Sequence, residues 1–272
     1  MRCRLIARLI PSYESRSLGL MLLELVVTSV MTALLFSQIF DTSFPTGTYA
    51  HSYGLEGFVT SPYHDGSSFP EQVNRYVSRY LASTLIRGEL PFFFDLARTA
   101  SNYFSTNSTL IESKRRWIEQ VRLYGSKCFA SLPTRELRTA FTDTGHRTLQ
   151  LLLDIESNDL LLAYSNEVKR NNIPPWTWAA ISSLPQTHDG CTDEVAALGC
   201  FAAVKTMVIN AQRIGPLGHR NTQAMLSNFA RQIPIMVDLA KTIPVDDAIN
   251  VSLVVENSQY RHVTLDTKLF KT

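Results

Sequence analysis

Hydrophobic residues recur at steps of three and four along most of the chain after Gly57, which is the period of an α-helix. The first such run is preceded by the capping residues Ser67 and Ser68 and is predicted to stop at Gly88. Its apolar stripe comprises Val73, Tyr76, Val77, Tyr80, Leu81 and Leu85. Further helices are predicted to begin at Pro91, near Leu110, at Pro133 and near Leu160.

The longest run is apolar on nearly every side from Val195 to Ala211, behind a predicted cap at Thr192. A helix of that kind is normally central in the fold. A later helix, from about Asn221 to Lys241, carries Pro234 and is expected to bend there. The best candidate for a strand is the short, isolated run from Val251 to Val255.

These patterns predict an all-α protein. We divide it into an N-terminal extension (1–30), one multi-helix domain (31–243) and an irregular C-terminal tail (244–272) that binds a partner. Charged residues make up only 18% of the 272 residues, against about 25% in typical proteins, which favours a surface partly covered by other proteins. The net charge of +2 gives no reason to expect nucleic-acid binding.

The compartment is predicted from the cysteines and the N-terminus. The four cysteines lack the spacing of a disulfide framework, which favours a cytoplasmic protein. Arg2, Arg4 and Arg8 precede an apolar stretch, however, so organelle targeting or membrane anchoring remain alternatives. The rival functional hypothesis is accordingly a membrane-associated helical protein anchored by residues 18–40.

Residues 41–56, here called the first motif, combine turn-forming residues with one imidazole and two carboxylates. Such an irregular stretch is typical of a shaped functional surface. Asp41, His51 and Ser52 carry the groups of a hydrolytic triad, but the chain has no G-x-S-x-G elbow to display the serine. A hydrolase is therefore only a third hypothesis.

The first motif resembles the opening motif of the urease accessory protein family UreF, in which Asp, Pro and Gly precede His-Ser-x-Gly-Leu-Glu. Three later segments are similar to the same family in the same order. They are 134–140 with Gly145, the Arg-x-x-Pro-Leu-Gly sequence 213–218, and the closing residues 261–272. The last segment departs from the family pattern, with Val263 for an acidic residue, Lys268 for Arg and Thr272 for Ser.

The resemblance implies a non-catalytic, all-α maturation protein that dimerises. Its implied partners are a UreG-type GTPase that carries nickel, a UreD/UreH-type scaffold and apo-urease. It implies no permanently bound cofactor, because the nickel is handled by the complex.

The resemblance also implies which residues form the partner-binding surface. Phe270 and Lys268 are expected to dock the tail, and His51 and Glu56 are the candidates for transient nickel contacts, with no firm metal site. The full expected set is Asp41, Pro45, Gly47, Tyr49, His51, Ser52, Gly54, Glu56, Arg213, His262, Lys268, Leu269 and Phe270.

Overall fold

A computed structural model describes residues 30–61, 66–105, 110–185 and 191–272. The described residues are helical, with no strand among them. The α-helices are α1 Val30–Ile39, α2 Leu55–Val59, α3 Phe69–Tyr80, α4 Leu90–Ser105, α5 Leu110–Ser131, α6 Arg135–Ile155, α7 Asp159–Lys169, α8 Thr177–Ser182, α9 Thr192–Ile214, α10 His219–Lys241 and α11 Leu253–Val263. A 3₁₀ turn spans Thr48–Ala50, and π-helical turns span Leu81–Glu89.

Several helix starts follow from capping residues near them in sequence. The backbone N–H of Ser68 donates to the Glu71 carboxylate at 2.8 Å, as part of a capping box that starts α3. Thr134 accepts a hydrogen bond from the Leu137 N–H at 3.2 Å and so caps α6. These contacts explain why the sequence located both helix starts correctly.

Two predictions about the ends of elements were wrong. The first predicted helix does not end at Gly88, because helical turns continue without a break from α3 through the π-helical turns into α4. The predicted strand at Val251–Val255 is instead the approach to α11, which begins at Leu253 behind a Ser252 cap. The C-terminal tail is therefore irregular only in part, since α11 occupies its middle and packs against α2.

The central position predicted for α9 is confirmed. This helix packs against α2, α3, α4 and α10, and Val204, Met207 and Val208 are completely buried. In the described part of the chain, α9 alone is long and apolar enough to cross a membrane, and 56% of its apolar stretch lies inside the fold. Its composition is thus that of a core helix.

The apolar stretch proposed as an anchor is described only from residue 30 onward. In α1, Phe36 and Ile39 are buried in the common core, whereas Val30, Met31 and Leu34 are exposed. Residues 18–29 and the rest of the N-terminal extension lie outside the described residues. The last turn of α1 therefore packs as a lead-in to the first motif.

Candidate functional site

The first motif and the last residues of the chain lie side by side. We call residues 264–272, which follow α11, the C-terminal segment. The Lys271 N–H donates to the Ala50 carbonyl at 2.9 Å, and the Ser52 N–H donates to the Thr272 carbonyl at 2.6 Å. The Ser52 hydroxyl donates to the same carbonyl at 2.5 Å. Backbone pairing therefore fixes the register between two segments at opposite ends of the chain.

The Glu56 carboxylate accepts hydrogen bonds from the backbone of the C-terminal segment. Its Oε1 accepts a hydrogen bond from the Leu269 N–H at 2.8 Å, and its Oε2 accepts one from the Phe270 N–H at 3.3 Å. Oε2 also lies 3.1 Å from Nε2 of His262 on α11. Since Glu56 is only 4% exposed, these three donors replace the water that the carboxylate loses on folding.

Phe270 anchors the C-terminal segment by its side chain. The ring is 4% exposed, and the guanidinium carbon of Arg213 lies 4.9 Å from its centroid. Arg213 sits in the last turn of α9 and thereby covers the ring with a cation–π contact. The same helix holds the first motif, because Asn210 donates to the His51 carbonyl at 2.8 Å.

The turn before α2 is shaped by two residues with positive φ. Tyr53 has φ 55° and Gly54 has φ 92°, and the Tyr76 hydroxyl donates to the Tyr53 carbonyl at 2.6 Å. A Cβ on Gly54 would lie 2.5 Å from that hydroxyl, so a larger residue would be both strained and obstructed. This turn directs Ser52 and Glu56 toward the C-terminal segment.

Asp41 forms a local turn at the N-terminal end of the first motif. Its Oδ1 accepts from the N–H of Ser43 at 2.8 Å and from the Ser43 hydroxyl at 2.6 Å. The Ser43 side-chain bond is the main reason that the pKa of Asp41 falls to about 2, and Lys205 at 3.4 Å lowers it further. Asp41 is thus an ionised turn residue and does not contact His51.

Both histidines of the site are held neutral at pH 7. The pKa of His51 falls to about 4, chiefly because of burial and also because of nearby Lys271 and Arg147, although Asp143 opposes the shift. Burial also lowers the pKa of His262, although Glu56 opposes that effect. Nδ1 of His51 lies 3.1 Å from the Thr272 hydroxyl. The imidazoles therefore serve as neutral hydrogen-bonding groups.

The expected surface residues fall into three classes of exposure. His51, Ser52, Gly54, Glu56, His262 and Phe270 are buried, and Asp41 and Gly47 are partly exposed. Pro45, Tyr49, Arg213, Lys268 and Leu269 are exposed. His51, Ser52 and Glu56 bind the chain's own C-terminal segment, and Arg213 covers the Phe270 ring of that segment. The side chains of Tyr49 and Leu269 stay exposed.

No metal site is assembled here. The described residues hold no group of three or more His, Cys, Asp or Glu placed to bind a metal ion. Nδ1 of His51 lies against the Thr272 hydroxyl, and both oxygens of Glu56 are engaged by the C-terminal segment and by His262. A transient nickel contact at His51 and Glu56 stays a prediction, and it would require the segment to move.

Sequence reasoning missed two contributors to this site. Asn210 is the one amide side chain in the stretch from Val195 to Ala211, which is apolar on nearly every side, and that is the signal that could have found it. Thr272 was noted only as a departure from a family pattern, yet its carbonyl and hydroxyl contact Ser52 and His51. Nothing in a single sequence pairs a terminal threonine with residues 51 and 52.

Comparison with known proteins gives this arrangement a family. A family model described as UreF matches residues 68–230, which is more than half of the chain. The chain belongs to the UreF family. The recognition made from the four sequence segments is thereby confirmed, as is the all-α fold class.

Curated relatives extend the match over most of the chain. A urease accessory protein UreF from a Bacillus species (strain TB-90) is 26% identical over 86% of this chain and 96% of the relative. The UreF of Corynebacterium efficiens is 22% identical over 89% of this chain and 98% of the relative. Both relatives are described as urease accessory proteins, and neither description names an enzymatic activity.

Proposed function

We propose that this chain is a non-catalytic urease maturation protein that acts in the cytoplasm as a homodimer. It links a nickel-carrying GTPase of the UreG type to a UreD/UreH-type scaffold, so that the assembly can insert nickel into apo-urease. Membership of the UreF family supports the accessory role, and the site described above supports a role in binding rather than catalysis. The chain itself holds no cofactor permanently in this proposal.

The observation that carries the proposal is the docking of the C-terminal segment on the first motif. The docked segment leaves Leu269 58% exposed, directly before the buried anchor Phe270. Tyr49, in the adjoining 3₁₀ turn, is also 58% exposed. Exposed apolar side chains on a rigidly hydrogen-bonded base are typical of a partner-binding surface.

The hydrolase hypothesis finds no support in this geometry. The Ser52 hydroxyl donates to a backbone carbonyl, and the His51 ring faces Thr272 rather than Ser52. Asp41 is engaged by Ser43. A nucleophile that is not activated by a base lacks the relay that acyl transfer needs.

Deleting the C-terminal residues is a poor test of partner binding, because the deletion would also damage the fold. Truncation before Arg261 would cut through α11 and leave Glu56 buried without its three donors. A loss of partner binding in that truncation would then follow from damage to the fold. A surface substitution within the C-terminal segment is therefore the sharper test of partner binding.

The test uses Leu269→Asp in cells that lack their own UreF-type factor and that express the GTPase, scaffold and urease from the source of this chain. We expect the variant to lose most urease activation and scaffold capture, because a charge would be placed in an apolar contact. Its own free energy of unfolding should change by less than about 0.5 kcal/mol, since the side chain is exposed. Leu162→Asp on α7, where Leu162 is 47% exposed, is the matched control.

The possible outcomes distinguish the proposed partner-binding surface from the maturation role itself. Wild-type activation that Leu162→Asp retains and Leu269→Asp loses, at equal soluble expression, supports the proposed surface. Full activation by Leu269→Asp would show that the C-terminal segment is not the partner-binding surface. Failure of the wild-type chain with all its partners present would overturn the maturation role itself.

A further inference from the structure

A cavity of about 180 Å³ lies beside the site but is not used by it. It is enclosed by the end of α1, the first motif, the π-helical turns, α6, α8 and α9. Six aromatic residues line it, and the carboxylate of Glu89 lies among four of them, Tyr53, Tyr80, Trp176 and Trp178; the other two are Phe40 and Phe141. Apolar walls with a few convergent polar groups are the usual composition of a small-molecule site.

Glu89 has no cationic partner in the described part of the chain. No ion pair forms to it there, and no Lys, Arg or His contributes to its titration. Burial raises its pKa to about 7, and the indoles of Trp178 and Trp176 offset only part of that rise. Glu89 is partly exposed at the cavity wall, yet a carboxylate that loses much of its water without a nearby counter-ion is unfavourable for folding, so its presence calls for an explanation.

A second polar group of the cavity is also incompletely satisfied. Trp176 is 2% exposed, and its indole Nε1 is buried without a hydrogen-bond partner of normal geometry. This N–H lies near enough to Glu89 to favour the ionised carboxylate. A bound cation would supply the counter-ion that keeps Glu89 ionised, and an ionised carboxylate is the stronger acceptor for the Trp176 N–H.

The electrostatics of the walls select the sign of the ligand. Two carboxylates, Asp41 and Glu89, line the cavity, and no basic residue does so among the described lining residues. The other titratable groups that sense Glu89 are Tyr53, Tyr80, Cys128 and Cys200, whose pKa values are raised by burial, so all four are neutral at pH 7. Aromatic faces also attract cations by their quadrupoles.

We propose that this cavity binds a small organic cation, an ammonium or guanidinium group on a compact apolar body, with Glu89 as its counter-ion. The cationic group donates to the carboxylate, and the apolar body packs against Tyr53, Tyr80 and Trp178. This site is independent of the partner-binding surface proposed above. A free small molecule suits it better than a protein side chain, because Glu89 lies among residues such as Trp176 and Tyr80 that are 2% and 7% exposed.

The test is a titration of the full chain with phenethylammonium, followed by tryptophan fluorescence and by calorimetry. Fluorescence is informative because two of the three tryptophans line the cavity and the third, Trp117, does not. We expect saturable binding at about pH 8 that weakens roughly tenfold or more at about pH 5.5, where Glu89 is protonated. The neutral analogue 2-phenylethanol should bind the wild type roughly tenfold more weakly or not at all.

The decisive variant is Glu89→Gln, which keeps the shape of the side chain and removes its charge. It should lose the preference for phenethylammonium and the pH dependence, whereas Glu112→Gln, an exposed residue of α5, should retain both. Equal binding of the cation by Glu89→Gln would overturn the proposal, as would an absence of saturable binding at about pH 8. Binding of a lysine amide without binding of phenethylammonium would also overturn it, in favour of a side chain from a partner.

Discussion

At the scale of single residues, Glu56 is the group on which the site depends most. It is a buried carboxylate whose oxygens accept hydrogen bonds from two backbone N–H groups and lie against one imidazole. Such a group stabilises a fold only while all its partners remain, because each unpaired member would be left desolvated. The sequence marked Glu56 as functional but did not reveal that its first role is to hold the chain's own C-terminus.

Replacing Glu56 with Ala should therefore destabilise the protein by about 2–4 kcal/mol, since His262 and two N–H groups lose their acceptor. The free energy of unfolding in urea measures this loss. The matched control is Glu112→Ala, whose side chain is 71% exposed in an ion pair with Arg115. That control should change stability by no more than about 0.5 kcal/mol. Equal effects of the two substitutions would mean that the network around Glu56 contributes nothing.

At the scale of the elements, the close approach of α2 and α11 positions the site. Glu56 lies on α2 and His262 on α11, so their contact depends on how near the two helices come. Gly57 permits this distance, because a Cβ there would lie 2.2 Å from the Ser258 carbonyl oxygen. The close packing is thus a property of the pair of helices, although a single glycine makes it possible.

We expect Gly57→Ala to destabilise the protein by about 1–3 kcal/mol through overpacking. Gly125→Ala on α5 provides the control, because its Cβ would meet only Pro174 atoms at an ordinary 3.7 Å. Since alanine favours helix over glycine, that control should stabilise by about 0.5–1 kcal/mol. Thermal unfolding of both variants gives the comparison. Similar gains in stability at the two positions would contradict the proposed helix contact.

At the scale of the whole molecule, two titratable groups, the buried His51 and the partly exposed Glu89, give stability opposite dependences on pH. His51 has a folded pKa of about 4, below its ordinary 6.5, so the unfolded chain binds more protons between these values and stability falls on acidification. Glu89 has a folded pKa of about 7, above its ordinary 4.5, so the folded chain binds more protons in that range. The contribution of Glu89 therefore weakens stability as the pH rises from about 4.5 to about 7.

The two contributions offset each other in the wild-type protein, and single variants should separate them. Glu89→Gln is expected to lose stability more steeply than the wild type between about pH 6.5 and 4.5, by roughly 2 kcal/mol across that range. His51→Gln should show the opposite change, becoming relatively more stable at the acidic end. Chemical denaturation over a series of pH values provides the measurement. Parallel profiles for all three proteins would show that neither group is shifted as described.

Much of the fold could be predicted from the sequence because it depends on residues a few positions apart. Helical periodicity and the capping groups Ser68 and Thr134 act within one turn, and they located helix starts well. The failures at Gly88 and at 251–255 have a common cause. Glycine and β-branched residues express weak local preferences, which tertiary packing overrides.

The amino-acid sequence by itself determined that this protein is all-α, that α9 is central and that four segments carry the pattern of the UreF family. Only the tertiary structure decided that Ser52 and Glu56 face the C-terminal segment, because Leu269 lies 213 residues from Glu56 along the chain. It alone also placed Glu89 in an aromatic cavity where the described residues provide no counter-ion. Burial and charge pairing depend on neighbours brought together by folding, and no local pattern specifies those neighbours.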